Sequence, residues 1–377
     1  MFDLEEGSRR DFLWDVLALF GEGGGTRILV ITHCLTDRPV FLQTLNKSYP
    51  ISQIHPIPYS ENQAIVRQLE KDFRVTRLSL AQLLDAKSLL DRTSELIEEE
   101  STPLAIVEIG GYHASLVGTL KERHGKKFMG CVESTEHGHR AYERQEALSV
   151  PVVSVARSRL KDLESQLIGP SVAFSVEKLV RAMGVPLFGL NAGILGYGRV
   201  GRNLAYSLAG RGSSVSVYDS DPLRRISAAA DGFQSVSRES VVQTSDIIVG
   251  ATGNTSLVEM DFPQLKHRVI LASATSKRAE FALEALLATA DHIRRVNDGV
   301  DEITMPDGRR IYVLTDGEPV NFADGAVVGP VMSLVHAEII AALSMLWRSR
   351  DSKGIHNVEP ADQEKICHLW VERFLNS

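Results

Sequence analysis

The stretch Leu187-Phe188-Gly189-Leu190-Asn191-Ala192-Gly193-Ile194-Leu195-Gly196-Tyr197-Gly198-Arg199-Val200-Gly201 decides the fold. An apolar run ends at Leu195 and passes directly into Gly-x-Gly-x-x-Gly. Helical spacing follows from Asn203 to Leu208. In this context the first glycine permits a tight turn, the second removes a side chain from the path of a pyrophosphate, and the third lets the helix close on the strand. Unpaired amides at the helix start then face the phosphates. The next β-branched run, Val215-Ser216-Val217-Tyr218, ends at Asp219. A carboxylate there accepts ribose hydroxyls and repels a 2′-phosphate, which selects NAD over NADP; Arg224 nearby moderates that preference.

Working outward, the chain alternates. Extended runs are expected at Arg27–Thr32, Leu104–Ile109, Phe128–Glu133 and Val150–Val155. Helical patterns lie between them at Leu80–Glu98 and Tyr112–Glu122. A long helix from about Arg157 to Met183 leads into the second region. There, strands are expected at Ser214–Tyr218, Asp246–Ala251, Arg268–Ala272 and His292–Val296. A hairpin over Ile303–Val313 turns at Asp307-Gly308. Helical spacing returns at Val328–Leu346 and Ala361–Leu375. This is the pattern of βαβ units and mainly parallel sheets, an α/β class. The expected architecture is a central Rossmann NAD-binding domain, 166–334 with its linker helix, inserted into a discontinuous α/β substrate-binding domain, 1–165 and 335–377.

Composition sets outer bounds. The 377 residues exceed one ordinary core. A net charge of −7 excludes a nucleic-acid footprint. Cys34, Cys131 and Cys367 are too scattered for a disulfide framework or a zinc cluster, and read as reduced cytoplasmic thiols. The start, Met1-Phe2-Asp3-Leu4-Glu5-Glu6, is acidic where a secretory signal is basic. Asp11–Phe20 reads as an amphipathic helix broken by Gly21-Glu22-Gly23-Gly24-Gly25, and no apolar run is read as spanning a bilayer.

Two more segments suit the dinucleotide site. Ala251-Thr252-Gly253-Asn254 follows a strand where a loop passes the nicotinamide ribose. Val320-Asn321-Phe322 follows the hairpin, where Asn321 either holds a carboxamide or caps the turn. With these segments in place, the chain resembles S-adenosylhomocysteine hydrolase. The resemblance rests on Gly196–Gly201, Asp219-Ser220-Asp221-Pro222, Ala251–Asn254, Asp316-Gly317-Glu318-Pro319-Val320-Asn321-Phe322 and Val331-Met332-Ser333. In the first region it rests on Cys34-Leu35, Glu108-Ile109-Gly110-Gly111 and Glu133-Ser134-Thr135-Glu136-His137-Gly138.

The resemblance implies NAD as cofactor and transient oxidation of a substrate ribose hydroxyl. It implies a cofactor set of Gly196, Gly198, Arg199, Val200, Gly201, Asp219, Arg224, Thr252, Gly253, Asn254, Ser273, Asn321 and Thr135. The family's catalytic lysine maps to Lys161, and Glu133 is retained as the second catalytic candidate. Several family groups are replaced. A histidine becomes Thr36, an aspartate becomes Ile109 beside the retained Glu108, a glutamate becomes Ser134, the lysine's aspartate becomes Ser165 and a histidine becomes Thr275. An adenine-contacting histidine falls at Val327 or Val328, and the C-terminal Lys and Tyr of the family find no match. Thr36, Glu108, Ser134, Ser165 and Thr275 are the expected substrate contacts.

His33, Asp37, Arg38, Tyr112, His113, Glu136, His137, His139 and Arg140 are new polar groups near these positions. His137 and His139 lack metal-site spacing and read as loop histidines, so no metal is expected. Lys277 reads as surface. Ordinary hydrolase activity is therefore not expected. The leading reading is an NAD enzyme that oxidises a nucleoside or polyol and then eliminates or epimerises, as in specialised nucleoside metabolism. A simple alcohol dehydrogenase and a non-enzymatic NAD sensor are the alternatives. A homodimer or homotetramer is expected.

Overall fold

The computed structural model describes residues 6–21, 25–275 and 280–376. The acidic Met1–Glu5, the glycine-rich 22–24 and Lys277 lie outside the described residues. In chain order the elements are α1 Glu6–Phe20, β1 Arg27–Cys34, α2 Arg38–Leu45, β2 Ile51–Glu61, α3 Gln63–Leu69, α4 Leu80–Leu84, α5 Ala86–Glu98, β3 Leu104–Glu108, α6 Val117–His124, β4 Phe128–Glu133, α7 Glu136–Glu143, β5 Pro151–Ser154 and α8 Arg159–Ala182. Then come β6 Asn191–Leu195, α9 Arg199–Ala209, β7 Ser214–Tyr218, α10 Pro222–Ala230, β8 Gln234–Ser235, α11 Arg238–Thr244, β9 Ile247–Gly250, β10 Val269–Ser273, α12 Leu283–Ala288, β11 His292–Asn297, β12 Val300–Thr304, β13 Arg310–Leu314, α13 Met332–Arg348, β14 Gly354–His356 and α14 Pro360–Phe374.

Two compact units result, Met1–Glu164 with Gly329–Ser377, and Ser165–Val328. The first boundary falls inside α8, one residue before the expected one. The second falls ahead of α13; a boundary at 334/335 would cut that helix within its first turn.

The first unit holds a six-stranded sheet in the order β14-β5-β4-β3-β1-β2, with every pair parallel. All eight residues of β1 are buried, as a strand covered on both faces requires. Ile28 and Val30 point into a core shared with α1, α2, α13 and α14. Leu29 and Ile31 point the other way, to a core shared with α5 and α6. Helix α13 corrects one expectation. Gly329–Arg348, 20 residues of mean hydropathy 1.5, is long and apolar enough for a bilayer, but 78% of it is buried inside the fold. It is the central helix of this unit.

The second unit has eight strands in the order β11-β12-β13-β10-β9-β6-β7-β8, with β12 antiparallel to both neighbours. The hairpin differs from expectation in its turn. Met305 N donates to Arg309 O at 2.8 Å and Gly308 N to Met305 O at 2.9 Å. Gly308 has φ +81. Pro306-Asp307 are thus the central residues, and Gly308 is a left-handed bulge position.

Arg27 locks the first sheet to α5. It is 1% exposed and donates to Leu96 O at 2.7 Å, Ile97 O at 2.9 Å and Thr102 O at 3.0 Å. The first two are last-turn carbonyls without helical partners. Arg27→Met orphans them and is expected to lower the unfolding free energy by about 3 kcal/mol, read from urea denaturation; a loss under about 0.5 kcal/mol contradicts this role.

Candidate functional site

In each sheet the strand order reverses beside one strand, and ligands bind at the carboxyl ends of strands at such a point. In the second unit β6 lies between β7 and β9. Gly196 follows β6 with φ +102, and a Cβ there would lie 2.6 Å from Ala251 O. A Cβ at Gly201 would lie 2.0 Å from Gly196 O. Backbone crowding therefore fixes both glycines. Gly198 is different. Its φ of −76 suits any residue, and the nearest atom to an added Cβ is Arg224 Nη1 at 3.6 Å. The space above Gly198 and the first-turn amides of α9, at Arg199, Val200 and Gly201, fit a dinucleotide pyrophosphate.

Asp219 ends β7 and is 5% exposed. Its carboxylate accepts from Tyr197 N at 2.6 Å and Asp221 N at 2.9 Å, which fixes its direction. Arg224 Nη1 stands 3.6 Å from it.

The loop Ala251–Asn254 crosses from β9 beside Gly196. A residue that sequence reasoning missed, Glu280, holds it. Glu280 is fully buried and accepts from Thr252 N at 2.8 Å, Gly253 N at 2.7 Å and Thr252 Oγ1 at 2.9 Å. Burial holds its carboxyl above the ordinary value, against the pull of the Gly253 amide and Thr252. Ser273 closes β10 with a buried hydroxyl that has no hydrogen-bond partner among the described residues. A bridge from Ser273 to Pro319 brings the Asn321 segment to the same edge, where Asn321 is 5% exposed. Asn254 is exposed, and Thr275 is half-buried beyond β10.

In the first unit β1 lies between β2 and β3. The two retained acidic residues are both buried and hydrogen-bonded inside the fold. Glu108 is 1% exposed. It accepts from Tyr142 Oη at 2.6 Å and His113 Nδ1 at 2.9 Å. Glu133 is fully buried and accepts from Gly110 N at 3.2 Å, Gly111 N at 2.8 Å and Thr135 N at 2.7 Å. Burial, then the Glu108 charge, push its pKa up to about 8. Thr135, expected at the cofactor, donates its hydroxyl to Glu133 and accepts from Gly138 N. These groups shape loops and present no free carboxylate. Ser134 is 5% exposed and Ser165 is 6% exposed.

Thr36 is exposed and lines a cavity of about 290 Å³ with Arg9, Asp37, Met332, Ser333 and His336. Arg38 backs this cavity. It is 5% exposed and donates to Thr32 Oγ1 at 3.1 Å, Asp37 Oδ2 at 2.6 Å and His336 Nε2. An arginine can only donate, so His336 Nε2 is a bare acceptor. Burial, then the Arg38 charge, hold His336 well below its ordinary pKa. Phe41 stacks on its ring at 4.2 Å.

Lys161 is not unpaired. Its Nζ lies 3.0 Å from Glu164 Oε2, one helical turn on, with Lys161 20% and Glu164 5% exposed along their side chains. Three-residue spacing on a helix was the available signal. Ser158 Oγ accepts from Lys161 N at 3.0 Å and donates to Glu338 Oε2 at 2.5 Å. Gln363 donates to the other Glu338 oxygen at 2.8 Å. Burial raises the Glu338 carboxyl to about 7.

The S-adenosyl-L-homocysteine hydrolase NAD-binding domain matches residues 172–327, within the second unit. The adenosylhomocysteinase of Aeropyrum pernix is 31% identical over 255 residues, 66% of this chain and 61% of the relative. The chain therefore matches about three fifths of that relative's length. The adenosylhomocysteinase of Sulfolobus acidocaldarius is 30% identical over 295 residues, 76% of this chain and 69% of the relative. The S-inosyl-L-homocysteine hydrolase of Methanopyrus kandleri is 28% identical over 279 residues, 72% and 65% of the two chains. Among solved structures, dipicolinate synthase A chain from Bacillus subtilis aligns with a TM-score of 0.46 at 13% identity, over 85% of this chain and 97% of that one.

Two outcomes follow. Gly198→Val fills the pyrophosphate space without backbone strain, so the melting temperature should stay within about 2 °C while NADH affinity, read by fluorescence titration, falls at least ~100-fold; unchanged affinity contradicts the placement. Glu338 titrates near 7 folded and near 4.5 unfolded, so the folded state binds the extra proton in that window. Its contribution to stability therefore falls as pH rises from 4.5 through 7. Glu338→Gln should flatten the fall of unfolding free energy across that window by up to roughly 3 kcal/mol; an unchanged slope contradicts the assignment.

Proposed function

Because the chain belongs to the S-adenosylhomocysteine hydrolase family, whose NAD-binding domain it carries, we propose that it reversibly oxidises a sugar hydroxyl of a nucleoside-like substrate to drive elimination or epimerisation. Bound NAD supplies the hydride acceptor for a secondary alcohol carbon. A ketone on the sugar acidifies the adjoining C–H. Transfer of that proton to water then permits either expulsion of a neighbouring hydroxyl, whose C–O bond breaks as its oxygen takes a proton from Lys161, or delivery of a proton to the opposite face.

The observation that carries this reading is the Lys161–Glu164 pair. A proton carrier survives although Ser165 has replaced the family's aspartate. Thr36 and Ser134 replace the histidine and glutamate that the family places near its substrate, which supports a changed reaction after oxidation. The substrate is assigned to the first unit, where Thr36 opens onto a cavity backed by the pinned Arg38. His336, kept neutral there, accepts and does not donate through Nε2. The relatives' names carry adenosyl and S-inosyl groups, which supports a purine nucleoside.

The test is a panel of purine nucleosides and their 5′-thioethers incubated with the purified protein and NAD. Absorbance at 340 nm should rise transiently with at least one, and a product lacking water or inverted at one sugar carbon should accumulate. Steady NADH accumulation identifies a simple dehydrogenase instead; no absorbance change with any member overturns the reading.

A further inference from the structure

Resting on the reading of Lys161 as proton carrier, we propose that Glu164 is its positioning residue: the carboxylate fixes the direction of the Lys161 side chain for proton transfer. Lys161 Nζ and Glu164 Oε2 stand 3.0 Å apart. Glu164 is buried, so little solvent competes for its charge. Lys161 keeps a fifth of its side chain open, enough to reach a ligand. The other charged and titratable groups around the ammonium are His33 and Arg38 from β1 and its turn, and His336 and Glu338 from α13. His33 and His336 are both held below their ordinary values, His33 at about 3, so neither supplies a proton at neutral pH. Glu338 is committed to Ser158 and Gln363, and through Ser158 it anchors the turn that carries Lys161. Glu164 is the carboxylate in direct contact with Nζ among the described residues.

In the step this arrangement serves, an N–H bond of Lys161 breaks and an O–H bond forms on an oxygen leaving the substrate. Glu164 then faces a neutral amine. The carboxylate does the work on the next turn at i+3 that a residue at position 165 would do at i+4, since both spacings share one helix face.

The experiment needs no substrate. Full-length protein is treated at pH 8 with a water-soluble amine-acylating reagent, and Lys161 acylation is quantified by mass spectrometry relative to exposed Lys87. Glu164→Gln keeps the shape and removes the charge; Lys161 should acylate about tenfold faster, the effect of one lost close carboxylate. Adding Ser165→Asp to that variant should bring the rate back to within about threefold of the parent, which a purely structural role of Glu164 would not produce. A Glu164→Gln rate within about twofold of the parent overturns the proposal. So does a double variant of unchanged melting temperature that remains as reactive as the single one. The nucleoside panel is read separately, so absence of turnover with the expected acylation pattern rejects the reaction and leaves the pair.

Discussion

Parallel strands that stop at a switch point leave backbone amides without ladder partners, and two buried glutamates meet that constraint here. Glu133 gathers the amides of Gly110, Gly111 and Thr135 in the first unit. Glu280 gathers those of Thr252 and Gly253 in the second. Each costs desolvation, and the amide bonds offset it. Gly138 shows how tight the fit is: a Cβ there would lie 2.1 Å from the Glu133 carboxyl carbon. These carboxylates bind the amides of the crevice loops from beneath.

That division of labour explains which expectations held. The Gly196–Gly201 turn and Asp219 are read from local sequence because their constraints are local: a tight turn, a close helix and a strand end. Thr36 is singled out only by the family resemblance at Cys34-Leu35, where it stands in place of a histidine. For Glu108 and Glu133 the sequence shows a carboxylate and not the donors folded around it, the Tyr142 hydroxyl and His113 ring for one and three backbone amides for the other. Glu280 carries no local signal, since the loop it holds lies far back in the chain. Strand β2 escaped notice because Pro56 and Pro58 interrupt its pattern, which an edge strand beside β1 tolerates. The helix expected over Leu80–Glu98 is two helices, because Asp85 ends α4 and caps α5 through Lys87 N and Ser88 N.

The remodelled site follows from the same geometry. The resemblance implies histidine or carboxylate at Thr36, Ser134, Ser165 and Thr275, and Lys161 contacts the carboxylate of Glu164 one turn along α8. Arg38, pinned by Thr32, Asp37 and His336, places a fixed positive charge behind the Thr36 cavity. The second unit, by contrast, carries Gly196–Gly201 and Asp219 within the stretch matched by the family's NAD-binding domain.

The central claim is that oxidation at one sugar carbon acidifies its neighbour. It is tested most directly by incubating protein, NAD and a purine nucleoside in deuterated water and examining recovered, unconverted nucleoside by mass spectrometry and NMR. Deuterium at the carbon next to the oxidised one, dependent on NAD, is the predicted result. Recovered nucleoside that carries no deuterium at that neighbour, although a rise at 340 nm shows that the cofactor is reduced by it, would contradict the account.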